Sequence, residues 1–171
     1  MRYRFIARVV ALALAGVLPL HAHAADAAKP PAAKADASSL ARGKYLVVIG
    51  GCNDCHTAGY APSNGKVPEN DWLMGDRLGW RGPWGTTYAV NLRQYMQALT
   101  EAQWVAKAKS LQTRPPMPWD NVRAMTEQDL RAIYRYVRHL GPAGEAAPAY
   151  VPPDKEPPPP FVTFPSPPPA K

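Results

Sequence analysis

The sequence predicts one domain of the all-α class, with three or more helices joined by long loops. Three observations lead to this prediction. Three stretches combine helix-capping residues with apolar periodicity, signals for strands are poor, and residues 57–90 form a long stretch rich in Gly, Pro and Trp without a regular pattern. The chain has 171 residues, a length typical of a single domain.

Residues 1–24 show the three-part pattern of a secretory signal peptide. Three arginines precede a twelve-residue apolar run, and Ala22 and Ala24 stand at the −3 and −1 positions of an A-x-A cleavage site. A bilayer span needs about 20 apolar residues, so an uncleaved anchor is the weaker alternative. We expect export to the periplasm with cleavage near Ala24. The formal charge then falls from +7 to +4, and no dense basic stripe remains that would indicate nucleic-acid binding.

Each predicted helix has a start and a stop in the sequence. The first starts after Ser38 or Ser39, since serine is a good N-cap, and it stops at the Gly50–Gly51 pair. The second starts at Thr100 with a capping box. The third starts at Thr126 and stops at Gly141. Its apolar face, at i, i+3, i+4 and i+7, consists of Leu130, Ile133, Tyr134 and Val137.

The segments on either side of the helices differ from them in composition. Residues 25–37 form an Ala-, Pro- and Lys-rich leader that we predict to be flexible, and residues 38–142 form the folded domain. Residues 143–171 form a Pro-rich tail, in which 11 of the last 24 positions are proline. Proline lacks an amide donor and has a fixed φ, so the tail is predicted to be an extended spacer or disordered. A docking tether for a partner is the alternative.

The long loop of residues 57–90 is unusually apolar for a segment without regular structure. Disordered segments are poor in aromatic residues, so this loop is expected to pack on something. Three helices offer little surface for it, and a large apolar cofactor would supply the missing core. The apolar residues of the loop include Trp72, Leu73, Met74, Leu78, Trp80 and Trp84.

Both cysteines of the chain lie in the stretch "CNDCH", where Cys52 and Cys55 are followed at once by His56. The spacing C-x-x-C-H is the attachment signature of c-type haem. The two thiols add across the two vinyl groups of the porphyrin, and the imidazole that follows points at the iron. We therefore predict one covalent haem c, with His56 as the proximal iron ligand.

Three other interpretations of the cysteine pair are weaker. A thioredoxin-like pair would require a βαβ context, which the sequence lacks. A zinc site would require further Cys or His ligands, and beyond His56 the chain after residue 24 offers only His139. A structural disulfide would leave both His56 and the apolar loop unexplained.

The second axial ligand of the iron decides the function, and Met117 is the best candidate. It stands in "TRPPMPW", where prolines on both sides forbid a helix and hold the thioether on a stiff extended loop. It lies 61 residues after His56, far enough to fold over the opposite face of the haem. Met74 is the second choice. Met96 and Met125 are predicted to be core residues, and His139 is better explained by its favourable interaction with a helix C-terminus.

The order helix, C-x-x-C-H, long loop, helix, Met-Pro-Trp loop and C-terminal helix resembles class I cytochrome c. The stretches "RGKYLV", "CNDCHTAG", "GTTYAVNL", "PPMPW" and "MTEQDLRAIYRYVRHL" are similar to periplasmic monohaem cytochromes found beside, or fused to, bacterial alcohol and aldehyde dehydrogenases. The resemblance implies a cytochrome c fold wrapped around one covalently bound haem. It also implies that Gly43 lets the first helix cross the last closely, near Ile133 and Tyr136, and that Met117 is the distal methionine.

These features predict an electron carrier rather than an enzyme, because ligation by His56 and Met117 fills both axial positions of the iron. We expect a monomer that accepts an electron from a dehydrogenase and passes it to an oxidase or another cytochrome, with association with a membrane complex as a further expectation. Two alternatives stay open: a haem sensor or enzyme with an open sixth position, and a fixed electron-transfer subunit of a dehydrogenase complex. A positive rim for an acidic partner would include Arg77, Arg81, Arg93, Lys107, Arg114 and Arg123.

Overall fold

The structure, a computed structural model, describes residues 36–165, which form six α-helices, one short 3-10 helix (Glu69–Asp71) and one small sheet. The predicted signal peptide and all but the last two residues of the predicted leader lie outside this range. No helix within it is long and apolar enough to cross a membrane. The helices are α1 (Ala37–Ile49), α2 (Cys52–His56), α3 (Leu92–Gln97), α4 (Glu101–Lys109), α5 (Trp119–Ala124) and α6 (Glu127–Leu140). The strands are β1 (Gly79–Gly82), β2 (Gly85–Thr87) and β3 (Phe161–Thr163).

Helices α1 and α6 cross with their backbones almost in contact, and Gly43 makes this possible. A Cβ atom at this position would lie 2.2 Å from the carbonyl oxygen of Ala132 and 2.6 Å from the Cβ of Tyr136. The predicted close crossing is therefore confirmed near Tyr136, and the other atoms nearest to Gly43 belong to the backbone of Ala132, the residue before Ile133.

The helix caps follow the sequence, with one exception. Thr100 and Gln103 form a complete capping box before α4, and the Thr126 side chain accepts a hydrogen bond from Asp129 N before α6. Gly141, with φ of 73°, ends α6 as predicted. The first helix, however, is capped by Asp36, whose carboxylate accepts a hydrogen bond from the backbone amide of Ser39 at 2.7 Å. A carboxylate two residues earlier thus takes the role that the sequence assigned to serine.

The three strands form a sheet of order β2-β1-β3, which the sequence did not predict. Strands β1 and β2 form an antiparallel hairpin, and β3, from the Pro-rich tail, pairs in parallel with β1. The prediction that the tail is a spacer or disordered is therefore wrong for residues 143–165. Composition misled here, because a strand of three residues is too short to show alternation, and the prolines stand outside its paired positions.

Arg93, predicted to belong to a positive surface rim, is instead buried, with 6% of its surface exposed. Its guanidinium donates hydrogen bonds to the carbonyl oxygens of Gly141 at 2.5 Å, Asn70 at 2.6 Å and Leu140. These carbonyls include the ones that α6 leaves unpaired at its C-terminal end. Arg93 thus joins α3, α6 and the long loop. The arginine was placed on the surface from its charge alone, whereas its real partners are backbone atoms.

Two carboxylates on other parts of the domain fasten α1, and they make the fold sensitive to acid. Arg42 donates to Asp129 at 2.9 Å and Lys44 to Glu69 at 2.5 Å, and these hydrogen bonds hold the pKa of each carboxyl below its usual value. A carboxyl whose folded pKa is depressed stabilises the fold above its unfolded pKa of about 4, and this contribution is lost as the pH falls through the folded value. We therefore expect the urea midpoint to fall between pH 5 and pH 3.

The double variant Asp129→Asn and Glu69→Gln tests this expectation. Its urea midpoint should be modestly lower than that of the native protein at pH 7, since both ion pairs are largely solvent-accessible. The drop between pH 5 and pH 3 should also be smaller. The matched control, Asp154→Asn, changes an exposed carboxylate of the tail and should leave both quantities unchanged. An equal acid sensitivity in the double variant and the native protein would contradict the assignment.

Candidate haem-binding site

The "CNDCH" stretch folds as the short helix α2, immediately after α1. Gly51 makes the connection, with φ of 65° in the left-handed region that favours glycine. Within α2, Cys52, Cys55 and His56 stand at positions i, i+3 and i+4, which lie on one face of a helix. The structure therefore brings the three predicted attachment residues to the same side of α2.

The two thiols are free and partly exposed, with no disulfide between them. Burial raises the pKa of the Cys52 thiol to about 11, and burial also raises the pKa of Cys55. Both sulfurs are therefore neutral S–H groups at pH 7. Addition of S–H across a vinyl group consumes one such thiol for each thioether, so the two side chains match the two vinyl groups of a haem.

The ring of His56 is buried and held in one orientation. Its Nδ1 lies 2.7 Å from the carbonyl oxygen of Val90, which can only accept a hydrogen bond, so Nδ1 carries the proton. Burial also lowers the pKa of His56, which favours the neutral imidazole. The lone pair is then on Nε2, and a backbone carbonyl behind Nδ1 is the usual support of a histidine that binds a metal through its other nitrogen.

A second set of contacts fastens α2 to the long loop. The hydroxyl of Thr57 donates to Asn53 Oδ1 at 2.8 Å and accepts from Leu73 N at 2.8 Å, while Gly75 N donates to the carbonyl of His56 at 2.8 Å. Thr57, Asn53 and Leu73 are all almost completely buried. This network was not predicted from the sequence, since a Thr after C-x-x-C-H carries no signal of its own until Leu73 is known to lie beside it.

The same loop places Val90 behind His56. The middle of the loop runs beside its C-terminal end and the start of α3, with Asp76 N donating to Ala89 O at 3.1 Å and Leu92 N donating to Leu73 O at 2.9 Å. This pairing sets residues 73–76 against residues 89–92. The carbonyl that orients the histidine is therefore held by backbone hydrogen bonds on both sides of it.

Met117 lies in the loop between α4 and α5, and its side chain is partly buried. Its carbonyl accepts from Trp119 N at 2.9 Å, at the start of α5. The other methionines and His139 lie in different parts of the fold. Met74 packs beside Gly144, where an added Cβ would lie 3.2 Å from its sulfur. Met96 is fully buried, Met125 is partly buried against the core, and His139 is exposed at the end of α6.

The donor set fits haem c: two thiols on one helix face, a neutral imidazole beside them and a methionine on a separate loop. It fits a zinc ion poorly. Within residues 36–165 there is no group of three His, Cys, Asp or Glu side chains that could hold a metal ion.

Comparison with known proteins agrees with this geometry. The profile of the family described as "Cytochrome c" matches residues 40–141, from α1 to the glycine that ends α6. The chain belongs to the cytochrome c family. The prediction of a class I c-type cytochrome and the prediction of a cytochrome c fold are therefore confirmed. The cofactor of this cytochrome is haem c with its iron.

Two curated proteins are similar to this cytochrome. One is the fructose dehydrogenase cytochrome subunit of Gluconobacter japonicus, 28% identical over 126 residues, which are 66% of this chain and 24% of that protein. The other is a nicotinate dehydrogenase subunit of Pseudomonas putida, 26% identical over 147 residues, which are 80% of this chain and 12% of that protein. The cytochrome thus spans a quarter or less of each relative. No solved structure matches it significantly.

Haem c supplies an iron that can change its oxidation state by one electron when bound. The cytochrome's own residues would attach the cofactor and orient its iron ligand. Cys52 and Cys55 would hold the cofactor covalently, and His56 would offer Nε2 to the iron while Val90 keeps its ring from turning. Burial of the histidine excludes water from this side and keeps the imidazole neutral.

Removal of the Thr57 hydroxyl is expected to weaken the attachment site. The isosteric change Thr57→Val leaves Leu73 N and Asn53 Oδ1 without the buried partner they now share, and we expect the free energy of unfolding to fall by about 2 kcal/mol. Urea denaturation of the holoprotein measures this. Thr113→Val, at an exposed position, is the matched control and should change the value by less than about 0.5 kcal/mol. Equal stabilities of the two variants would show that the network does not hold α2.

Proposed function

We propose that this protein is a periplasmic single-haem cytochrome c that shuttles one electron at a time from a dehydrogenase to the respiratory chain. Its iron ligands are His56 and Met117. The observation that carries the proposal is the hydrogen bond from His56 Nδ1 to Val90 O, which holds a neutral imidazole beside two free thiols. Such an imidazole is built to bind iron permanently rather than to exchange protons with a substrate.

Closure of both axial positions explains why the proposed function is electron transfer rather than catalysis. A thioether from Met117 on the face opposite His56 leaves no iron position for a substrate, and it also raises the reduction potential. The loop that carries Met117 contains prolines on both sides, which limit its motion. A site of this kind changes little between its two oxidation states, as fast electron exchange requires.

A dehydrogenase is the proposed electron donor. Both relatives are dehydrogenase components by name, the first of them a cytochrome subunit. Export through the predicted signal peptide of residues 1–24 would place the protein in the periplasm. The members of the predicted positive rim that are exposed would favour an acidic partner surface; they are Arg77, Lys107, Arg114 and Arg123.

A fixed subunit of a dehydrogenase complex is the second candidate function, and the names of the two relatives favour it. A carrier exchanges between partners, whereas a subunit stays with one. Affinity purification of the tagged protein from its native cells would distinguish them: stoichiometric recovery of one dehydrogenase at high salt supports the subunit, and recovery of the cytochrome alone supports the carrier.

The proposed closed iron site is tested on the holoprotein produced with a haem-attachment system. We expect a reversible one-electron potentiometric titration, and no change in the spectrum of the ferrous protein when carbon monoxide is added. Rapid binding of carbon monoxide to the native ferrous protein would contradict the proposal, and it would favour a sensor or an enzyme with an open sixth position.

A further inference from the structure

The Pro-rich tail runs along both edges of the β1–β2 hairpin. On the β2 side, Thr86 and Val151 exchange two backbone hydrogen bonds, of 2.7 and 3.0 Å. On the β1 side, β3 pairs in parallel with β1. The hairpin therefore has backbone partners from the tail on both of its edges, and such edges would otherwise be open to other chains.

Side chains fasten the tail to the hairpin as well. Arg81 forms an ion pair with Glu156 at 2.5 Å. The Phe164 ring lies against the two tryptophans of the hairpin, with centroid distances of 6.0 Å to Trp80 and 5.4 Å to Trp84. Because a proline-rich chain has few conformations to lose, these contacts order it at a low cost in entropy.

The hairpin and the tail together contact the loop that carries Met117. Thr87, at the end of β2, donates a hydrogen bond from Oγ1 to the carbonyl of Pro115 at 2.8 Å. The guanidinium of Arg114 lies 3.9 Å from the ring centroid of Tyr150, a tail residue. Arg114 and Pro115 stand three and two positions before Met117, and the prolines between limit the independent motion of this segment.

Strand β2 contacts the loop that carries Met117, and the chain then continues directly to Val90, whose carbonyl accepts a hydrogen bond from His56. Thr87 touches Pro115, and Val90, three residues later, accepts from His56. One short segment thus contacts the elements that carry both proposed axial ligands. The ring of Tyr150 is itself held, because its hydroxyl donates to Trp84 O at 2.9 Å.

We propose that Thr87 and Tyr150, held in place by the tail, are positioning residues for Met117. This pair is here called the brace. The proposal rests on the proposed function, since it takes Met117 as the distal iron ligand. In this role the tail supports the iron site of the cytochrome domain. The brace keeps the methionine loop closed and so slows displacement of the thioether by other ligands.

Cyanide binding to the ferric holoprotein tests the brace, because cyanide can reach the iron only when the thioether has left. The variants are Thr87→Val, Tyr150→Leu and the combination of both. We expect each single variant to bind cyanide roughly threefold faster and the double variant roughly tenfold faster, as expected for the loss of one hydrogen bond and one cation–π contact. When the pH is raised, the far-red band of the ferric protein should disappear at a lower pH in the single variants than in the native protein, and at the lowest pH in the double variant.

Two further variants serve as controls, and a third variant, Arg114→Gln, tests the contact with Tyr150 from the other side. Tyr150→Phe keeps the ring beside Arg114 and loses only the hydroxyl that donates to Trp84 O, so its rate should stay within about twofold of the native one. Thr163→Val makes the same change as Thr87→Val at an exposed position of β3 and should leave the rate unchanged. Arg114→Gln removes the contact with the Tyr150 ring from the loop side, at an exposed residue, and should speed cyanide binding as much as Tyr150→Leu. If Tyr150→Leu folds poorly, Arg114→Gln takes its place in the test.

The outcomes separate the brace from the proposed function. If the native protein has the far-red band, Met117→Ala abolishes it, and all brace variants bind cyanide at the native rate, the brace is wrong and the proposed function stands. If the native protein lacks the band and binds cyanide as fast as Met117→Ala does, Met117 is not the ligand, and both proposals fall. Faster cyanide binding in Thr87→Val, Tyr150→Leu and Arg114→Gln, but not in the controls, supports the brace.

Discussion

Replacement of Met117 by alanine is expected to change the spectrum, the potential and the ligand binding of the holoprotein together. The weak far-red band of the ferric protein, which arises from sulfur–iron charge transfer, should disappear. Carbon monoxide should bind the ferrous variant. The midpoint potential should fall by on the order of 0.1 V or more, because the thioether favours the ferrous state and axial ligands move haem potentials over about 0.8 V. Optical spectroscopy and potentiometric titration measure these changes.

Met74→Leu is the matched control for this experiment. Met74 is the second candidate from the sequence, but its sulfur packs beside Gly144 at the start of the tail. We therefore expect its replacement to leave the band, the potential and the lack of carbon monoxide binding unchanged. If Met74→Leu abolished the far-red band and Met117→Ala preserved it, the assignment of the distal ligand would be reversed.

The substitution Gly43→Ala is expected to cause a large loss of stability, although it adds only one methyl group. The new Cβ would lie 2.2 Å from the carbonyl oxygen of Ala132, and neither backbone can move without separating α1 from α6. We expect the free energy of unfolding to fall by roughly 3 kcal/mol or more, at the upper end of the range for overpacked cores. Urea denaturation of the holoprotein measures it, and the yield of protein with attached haem should fall in parallel.

Ala41→Leu provides the comparison on the same helix. It adds more volume than Gly43→Ala does, but at an exposed position of α1, and it should change stability by less than about 0.5 kcal/mol. Nearly equal stabilities of Gly43→Ala and Ala41→Leu would contradict the close crossing of the two helices.

The parts of the fold that were predicted correctly depend on local rules. The capping box at Thr100 and the glycine stop at Gly141 involve residues within one helical turn of each other, so their spacing is visible in the sequence. The same holds for "CNDCH", where the chemistry of two vinyl groups and one iron dictates a fixed spacing. Once the chain enters such a helix, Cys52 and His56 must share a face of it.

The parts that were missed depend on partners distant in the sequence. Strand β3 pairs with a hairpin about 80 residues earlier, and its three residues carry no alternating pattern. Arg93 is buried because its partners are carbonyl groups near residue 140, and backbone partners leave no trace in side-chain composition. The support of α2 by Thr57 was missed for the same reason, since Leu73 N is 16 residues away.

The most direct test of the account is the proton NMR spectrum of the ferrous holoprotein with its methionine methyl groups isotopically labelled. A methyl group bound beside the iron lies over the porphyrin ring, whose ring current shifts it far upfield. We predict one such methyl resonance, present in the native protein and in Met74→Leu and absent from Met117→Ala. The lack of any upfield methyl in the native protein would contradict ligation by a methionine, and with it the proposed electron carrier. Survival of the resonance in Met117→Ala would contradict the assignment of the ligand to Met117.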